Sequence, residues 1–372
     1  MQLTALSTVK HRIQVGAPLP FNVRDADQTL LLARGQQVGS TDQLEALFQR
    51  GALVDIAELQ TALQRLQQVP REQLPQRWSA CLGRVSQALQ RQAPDQDFQG
   101  ALDEAATPVL ALIERDPDLA IFQVLRSDER VAYGVRRSLN SAITAFLVAQ
   151  RLGWDNGATE KAFKVALTMN LSMLELQGEL ARQRTAPTPA QQQALQSHPL
   201  RSMELLQLSG VADAEWLQAV AKHHEMEDGS GYPSGCSDVG ELASLARRAD
   251  VYTAKLASRS HREAMSADLA GRQMFMEDPG HPMTAALVKE FGIYPPGCYV
   301  RLASGAAGVV VERGPMVTTP VVACLTDASG LALPAPRRVD TSLRQHAVVA
   351  VIGERGINVR VTAERLMALT VR

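Results

Sequence analysis

The alternation of apolar and polar positions gives the chain three textures. Near the start, PFNVRDADQTLLLARGQQV reads as two extended runs around the turn Asp25-Ala26-Asp27, with Gly35 and Gly39 breaking the second run. STDQLEALFQRG follows with helix signals at both ends: Ser40 or Thr41 as N-cap, and Gly51 just past the last turn. A small β-containing module over residues 1–55 is expected. Leucines then recur at helical spacing (Leu59, Leu63, Leu66) in a glutamine-rich background broken by Pro70 and Pro75. Residues 56–99 therefore predict a solvated helical connector.

From residue 100 to 291 the helical period dominates, in ALDEAATPVLALIER, SLNSAITAFLVAQRLG, EKAFKVALTMNLSML and WLQAVAKHHE. Gly153 closes one helix, and Pro187 and Pro189 separate two others. After Pro295-Pro296-Gly297 the runs shorten to CYVRLASGAAGVVVERG, TPVVACLTD and HAVVAVIGE, with Gly- and Asp-containing turns. Residues 292–372 predict a C-terminal β subdomain. The expected fold class is mainly α: an all-α domain with a small N-terminal β-containing module and a C-terminal β subdomain.

Composition changes this picture little. The 372 residues are 45% hydrophobic and 21% charged, an ordinary globular balance. A net charge of -1 supplies no global field for nucleic acid, and no nucleic-acid partner is expected. The first residues lack the pattern of a secretory signal, and no apolar run reaches membrane-spanning length. A cytoplasmic chain without membrane contact is the expectation. Cys81, Cys236, Cys298 and Cys324 are scattered without a CxxC pair, so free thiols are expected.

The most specific string is His223-His224-Glu225-Met226-Glu227-Asp228-Gly229-Ser230-Gly231-Tyr232-Pro233. Two imidazoles at a helix C-terminus can face a metal or a phosphate, and the glycines let backbone approach a ligand closely. A satisfied buried pair beside a tight loop is the other reading. The Leu and Met positions of LSMLELQGEL read as core, and isolated His11, His281 and His346 as surface or capping residues. No Ser/His/Asp order stands out.

This string resembles the HHExxDGxGYP signature of the HD-GYP family of bacterial cyclic-di-GMP phosphodiesterases. His198-Pro199 is similar to the family's HP dipeptide, and ARRADVYTAKLASRSHR to its late ARIxxVxDxxDALxSxRPYR segment, with Asp250 on the first acidic position. The resemblance spans residues 120–310. It implies an HD-type helical fold and a cluster of two or three iron- or manganese-type ions. Such ions generate hydroxide and stabilise phosphodiester charge, held by histidines and a bridging carboxylate.

On the same resemblance the family's Glu and His, four apart on a helix, fall on Arg136 and Asn140. Its His-Asp-x-Gly-Lys core falls on Met169-Asn170-Leu171-Ser172-Met173. Arginine cannot ligate a metal, and neutral asparagine cannot offset two cations. The residual metal candidates are His198, His223, His224 and Asp250. At most one weakly bound iron- or manganese-type ion is expected, and otherwise no cofactor. Arg259 and Arg262 match positions resembling phosphate contacts, His261 stands where the family has Pro-Tyr, and Asp228, Gly229, Gly231, Tyr232 and Pro233 form a candidate recognition loop.

Three readings follow. One is a catalytically degenerate module that binds a signalling protein such as a diguanylate cyclase through that loop. Another is a non-hydrolysing cyclic-di-GMP effector. The third is an active phosphodiesterase with a reduced metal site.

Overall fold

The computed structural model describes residues 3–371 apart from 8–9, 11–12, 14, 56–65, 67, 91–96, 127–129, 261, 358 and 360. His11, Leu59, Leu63 and His261 lie outside the described residues. The chain divides into two units, Met1–Pro70 and Arg71–Arg372.

Among the described residues the first unit has a four-stranded antiparallel sheet, ordered β1-β4-β2-β3, and one helix. The strands are β1 (Leu3–Ala5), β2 (Val23–Arg24), β3 (Leu30–Leu32) and β4 (Leu53–Asp55), and α1 is Thr41–Gln49. The turn between β2 and β3 forms as read. Asp25 Oδ1 accepts the peptide N–H groups of Asp27 and Thr29 at 3.0 and 2.9 Å. Ser40 caps α1 by accepting from the Gln43 N–H. Leu6, Phe21, Val23, Val38, Leu44 and Val54 form its core.

The second unit begins inside the stretch read as a solvated connector. Helix α2 (Leu74–Gln90) buries Trp78, Leu82, Val85 and Leu89 and packs on α3 (Phe98–Arg115). Its apolar stripe needs a partner, and the glutamines only decorate the opposite face. Then come α4 (Pro117–Leu125), α5 (Tyr133–Arg151), α6 (Asn156–Thr168), α7 (Leu174–Arg182), α8 (Pro189–Leu208), α9 (Ala214–Lys222), α10 (Glu241–Leu256), α11 (Ala267–Glu277) and α12 (Pro282–Phe291). Helix α5 is the centre: it is buried along most of its length and touches α4, α6, α7, α10 and α12. Leu171 and Met173 are core residues as expected, and His281 caps α12 by accepting from the Met283 N–H.

The five-stranded antiparallel sheet runs β8-β7-β6-β5-β9. Its strands are β5 (Tyr299–Leu302), β6 (Ala307–Glu312), β7 (Val321–Thr326), β8 (Ala332–Asp340) and β9 (Val348–Ile352), and a short helix α13 (Ala363–Ala368) ends the chain. The runs expected to be extended are β5, β6, β7 and β9. Strand β8 carries Pro334 and Pro336, which hid it from the pattern; as an edge strand it can leave their missing N–H groups unpaired. Helix α13 adds a helical turn to the expected C-terminal β subdomain. The sheet is tied to the helices by Arg313, which pairs with Asp118 and Glu290, and by Arg126 Nε donating to the Gly297 carbonyl at 2.7 Å. All four cysteines are free, and burial pushes the thiols of Cys81 and Cys298 up to about 11 and about 12. No helix of the described residues is long and apolar enough to cross a membrane.

Candidate functional site

Three imidazoles meet where α8 passes the C-terminus of α9. His198 is inside α8, His223 is the C-cap of α9, and His224 follows it. One ring nitrogen from each lies within 4.8 Å of the others, and among the described residues this is the cluster that could hold a metal. Burial, then the neighbouring imidazole, lowers each to about 3, so all three are neutral at pH 7.

The tautomers follow from the backbone. His198 Nδ1 lies 2.6 Å from the Leu195 carbonyl oxygen and His223 Nδ1 2.7 Å from that of Val220. A carbonyl only accepts, so each Nδ1 carries the proton and each Nε2 presents a bare lone pair. Those two Nε2 atoms face each other at 3.1 Å. Lone pairs so placed repel unless an electrophile lies between them. Two nitrogens bound to one ion at ~2.1 Å are separated by roughly 3.0–3.4 Å, so the pair fits one transition-metal ion.

The neighbouring chemistry does not extend the site to two ions. Asp250, on α10, is near enough for its charge to be felt at His198 and His223. Its Oδ1, however, accepts from Arg137 Nη2 at 2.8 Å, from Asn170 Nδ2 at 3.3 Å and from the Ser141 hydroxyl at 3.4 Å. Arg137 Nη1 also donates to Thr253 at 3.0 Å, and the Arg137 side chain is 5% exposed. A fixed guanidinium thus holds the carboxylate, and Asn170 adds a neutral donor. Asn170 and Met169 are fully buried at the end of α6. The residues present fit one ion on three histidines and do not fit a carboxylate-bridged pair.

This corrects the register read from the sequence. Arg136 and Asn140 do not face Asp250; the residues that do are Arg137 and Ser141, also four apart. One residue turns the helix by about 100°, enough to exchange the inward face for its neighbour. Arg136 lies over the Tyr133 ring at 5.7 Å, and Asn140 donates to the Val124 carbonyl at 3.2 Å. The burial of Arg137, Ser138, Ser141 and Ala145 was the available signal, visible in sequence only as a polar patch on an otherwise apolar stripe.

The loop after the histidines is braced from within. Glu225 is fully buried, and its carboxylate accepts from the peptide N–H groups of Ser234 and Cys236 at 2.6 and 3.1 Å. A Cβ on Gly231 would sit 2.4 Å from Glu225 Cα, so only glycine admits this approach. Gly229 adopts a φ of +76°. Tyr232 stacks on His224 with ring centroids 4.6 Å apart, and its N–H donates to the His224 carbonyl. Asp228 and Ser230 are exposed at the rim, and Pro233 is half-buried. Glu227 accepts from the Ser244 hydroxyl at 2.6 Å and from Arg248. Arg259 and Arg262, bridged through their backbones, lie beyond α10 and line a different cleft, together with Arg136.

Residues 124–275 match the HD domain family. The chain is 28% identical over 246 residues to the cyclic di-GMP phosphodiesterase PA4108 of Pseudomonas aeruginosa, covering 64% of this chain and 57% of that protein. It is 20% identical over 137 residues to the cyclic di-GMP phosphodiesterase PdeB of Borreliella burgdorferi, covering 36% of each. The chain therefore spans about half the length, or less, of these curated relatives. Among solved structures, Bd1817, an HDG"Y"P protein from Bdellovibrio bacteriovorus, superposes with a TM-score of 0.50 at 15% identity, over 77% of this chain and 98% of that one. With the histidine cluster, the loop that follows it and this helical arrangement, residues 124–275 match the HD domain family and fold as a helical domain similar to that of the Bdellovibrio protein.

Proposed function

We propose that this protein is a non-hydrolysing HD-GYP module of cyclic-di-GMP signalling, which works by binding rather than by phosphodiester cleavage. The observation that carries the reading is the Arg137–Asp250 pair. Asp250, the carboxylate whose charge reaches His198 and His223, is held by a permanent cation, and Asn170 donates to it as well. Phosphodiester hydrolysis by a bridged metal pair needs that charge at the metals. One ion of iron or manganese type on His198, His223 and His224 is the most the donor set supports, and it would polarise a phosphoryl oxygen when bound.

The braced loop Asp228–Pro233 serves as the docking point for a signalling protein such as a diguanylate cyclase, through its exposed Asp228 and Ser230 and the half-buried Tyr232. Its glycines and the buried Glu225 preorganise it, which lowers the ordering cost of docking. Cyclic-di-GMP is the ligand class suggested by the two bacterial relatives.

The test is direct. Purified protein is incubated with cyclic-di-GMP and added Mn²⁺ or Fe²⁺, product is followed by chromatography, and metal is counted by elemental analysis. No product and no more than one ion per chain are expected. Turnover that disappears in His223→Ala, or two ions per chain, overturns the reading.

A further inference from the structure

A second ionic cluster in the same unit uses none of the three histidines. Arg248, on α10, is 2% exposed and meets two carboxylates from different parts of the fold. Its Nε and Nη2 both donate to Asp278 Oδ2, at 3.0 and 2.7 Å. Asp278 is the C-cap of α11 and begins the turn into α12. Arg248 Nη1 donates to Glu227 Oε1 at 3.3 Å and to the Ser244 carbonyl at 3.1 Å, and it also meets the Ser244 hydroxyl. Glu227 lies between His224 and the exposed Asp228, in the segment that opens the loop.

Each carboxylate is fixed a second time. The Ser244 hydroxyl donates to Glu227 Oε1 at 2.6 Å, and Arg247 lies 3.6 Å from Glu227 Oε2. The Thr284 hydroxyl, in the first turn of α12, donates to Asp278 Oδ2 at 2.9 Å, and Arg248 Nε reaches Thr284 at 3.3 Å. Among the described residues no hydrogen bond or ion pair links Glu227 to Asp278; Arg248 is the partner they share. The Arg248 side chain is 3% exposed, against 46% for Glu227 and 35% for Asp278. The cation is therefore the inner, fixed member and the carboxylates are the outer ones. A buried guanidinium is tolerated only while its donors are met. Moving either carboxylate leaves it short of a partner, which costs far more than parting an exposed pair.

We propose that Arg248 is a positioning residue that couples the α11–α12 turn to the loop after the histidines, so that a contact made at one is felt at the other. Displacing Glu227, as docking at the neighbouring Asp228 would do, strips Arg248 of one carboxylate and leaves Asp278 to carry the cation alone; displacing Asp278 does the reverse. Coupling of this kind acts equally in both directions. Its use as a signal rests on the reading of Asp228–Pro233 as a docking loop, whereas the coupling is a property of the free chain. The two fail separately, since docking is read with a partner and the coupling without one.

The experiment is amide hydrogen exchange of the full chain in EDTA, read by mass spectrometry over the loop and the turn. The loop reports through the N–H groups of Gly229, Tyr232, Ser234 and Cys236, which are bonded to Met226, His224 and Glu225. The turn reports through those of Met283 and Ala285, both bonded to His281. Asp278→Asn, which removes no bond of the loop itself, should speed loop exchange about tenfold, and Glu227→Gln should speed turn exchange about as much, the weight of one charge-assisted hydrogen bond. Arg248→Met should speed both, and adding Asp278→Asn to it should make the loop no faster, because the shared partner is already gone. Arg248→Lys keeps the charge without the fork and should fall between the parent and Arg248→Met. Leu82→Ala, in the buried face of α2, weakens the core without touching the cluster and should leave both reporters at the parent rate. Circular dichroism confirms that each variant is folded; if Arg248→Met is not, Asp278→Asn and Glu227→Gln decide. Loop exchange at the parent rate in Asp278→Asn, turn exchange at the parent rate in Glu227→Gln, equal acceleration by Leu82→Ala, or an undiminished effect of Asp278→Asn on top of Arg248→Met overturns the proposal.

Discussion

Replacing Arg137 by methionine tests the charge arrangement beside the histidines most directly. The Arg137 side chain is 5% exposed and that of Asp250 12% exposed. Without the guanidinium the carboxylate keeps only the Asn170 amide at 3.3 Å and the Ser141 hydroxyl at 3.4 Å, two long bonds from neutral donors. Stranding one member of a buried ion pair costs about 3–5 kcal/mol. At about 2 °C per kcal/mol for a unit of this size, the midpoint should fall by roughly 6–10 °C. Removing both charges in Arg137→Met/Asp250→Leu should recover most of that loss, because an apolar pair of similar volume carries no uncompensated charge. The freed carboxylate should also let Mn²⁺ stabilise Arg137→Met more than it stabilises the parent. Scanning calorimetry of the three proteins, with and without Mn²⁺, measures all of this. A single variant within about 1 °C of the parent, or a double variant no more stable than the single one, would refute the argument.

Other consequences are equally open to measurement. Gly231→Ala drives a Cβ against the backbone of His224, Glu225 and Met226, so about 1–3 kcal/mol should be lost in urea unfolding. A divalent transition metal should raise the parent's midpoint through a single site, and His223→Ala should abolish the rise; a two-site isotherm contradicts the donor set. Glu227 sets a pH window. Burial opposes its charge, but the Ser244 hydroxyl, the Glu227 backbone and the Arg248 and Arg247 charges outweigh burial and hold its carboxyl down at about 2, from an ordinary 4.5. Its folded value lies below its unfolded one, so its contribution is present above about 4.5 and is lost as pH falls towards about 2. Urea midpoints of Glu227→Gln should therefore depend less on pH in that window, and identical profiles would contradict it.

Much of this protein was legible in residue spacing. The period of 3.6 in SLNSAITAFLVAQRLG marked α5, and the serine before α1 and the turn at Asp25 marked their own local hydrogen bonds. The histidine string identified a helix C-terminus followed by a tight loop, and the structure has both. These features depend on neighbours within about four residues, so the sequence carries them directly. What lies across space was decided by packing. A rotation of about 100° on α5 put Arg137 and Ser141, and not Arg136 and Asn140, against Asp250. The facing Nε2 atoms of His198 and His223 depend on how α8 crosses the end of α9. Strand β8 exists because an edge position tolerates its prolines, and α2 is buried because α3 covers its stripe. The cleft lined by Arg136, Arg259 and Arg262 gathers residues from Val124 to Leu366; the sequence marked Arg259 and Arg262, and only the fold brings Arg136 beside them. Local propensity sets which segments are helix or strand. Which side chains meet is set by the burial of apolar faces, a property only the assembled chain possesses.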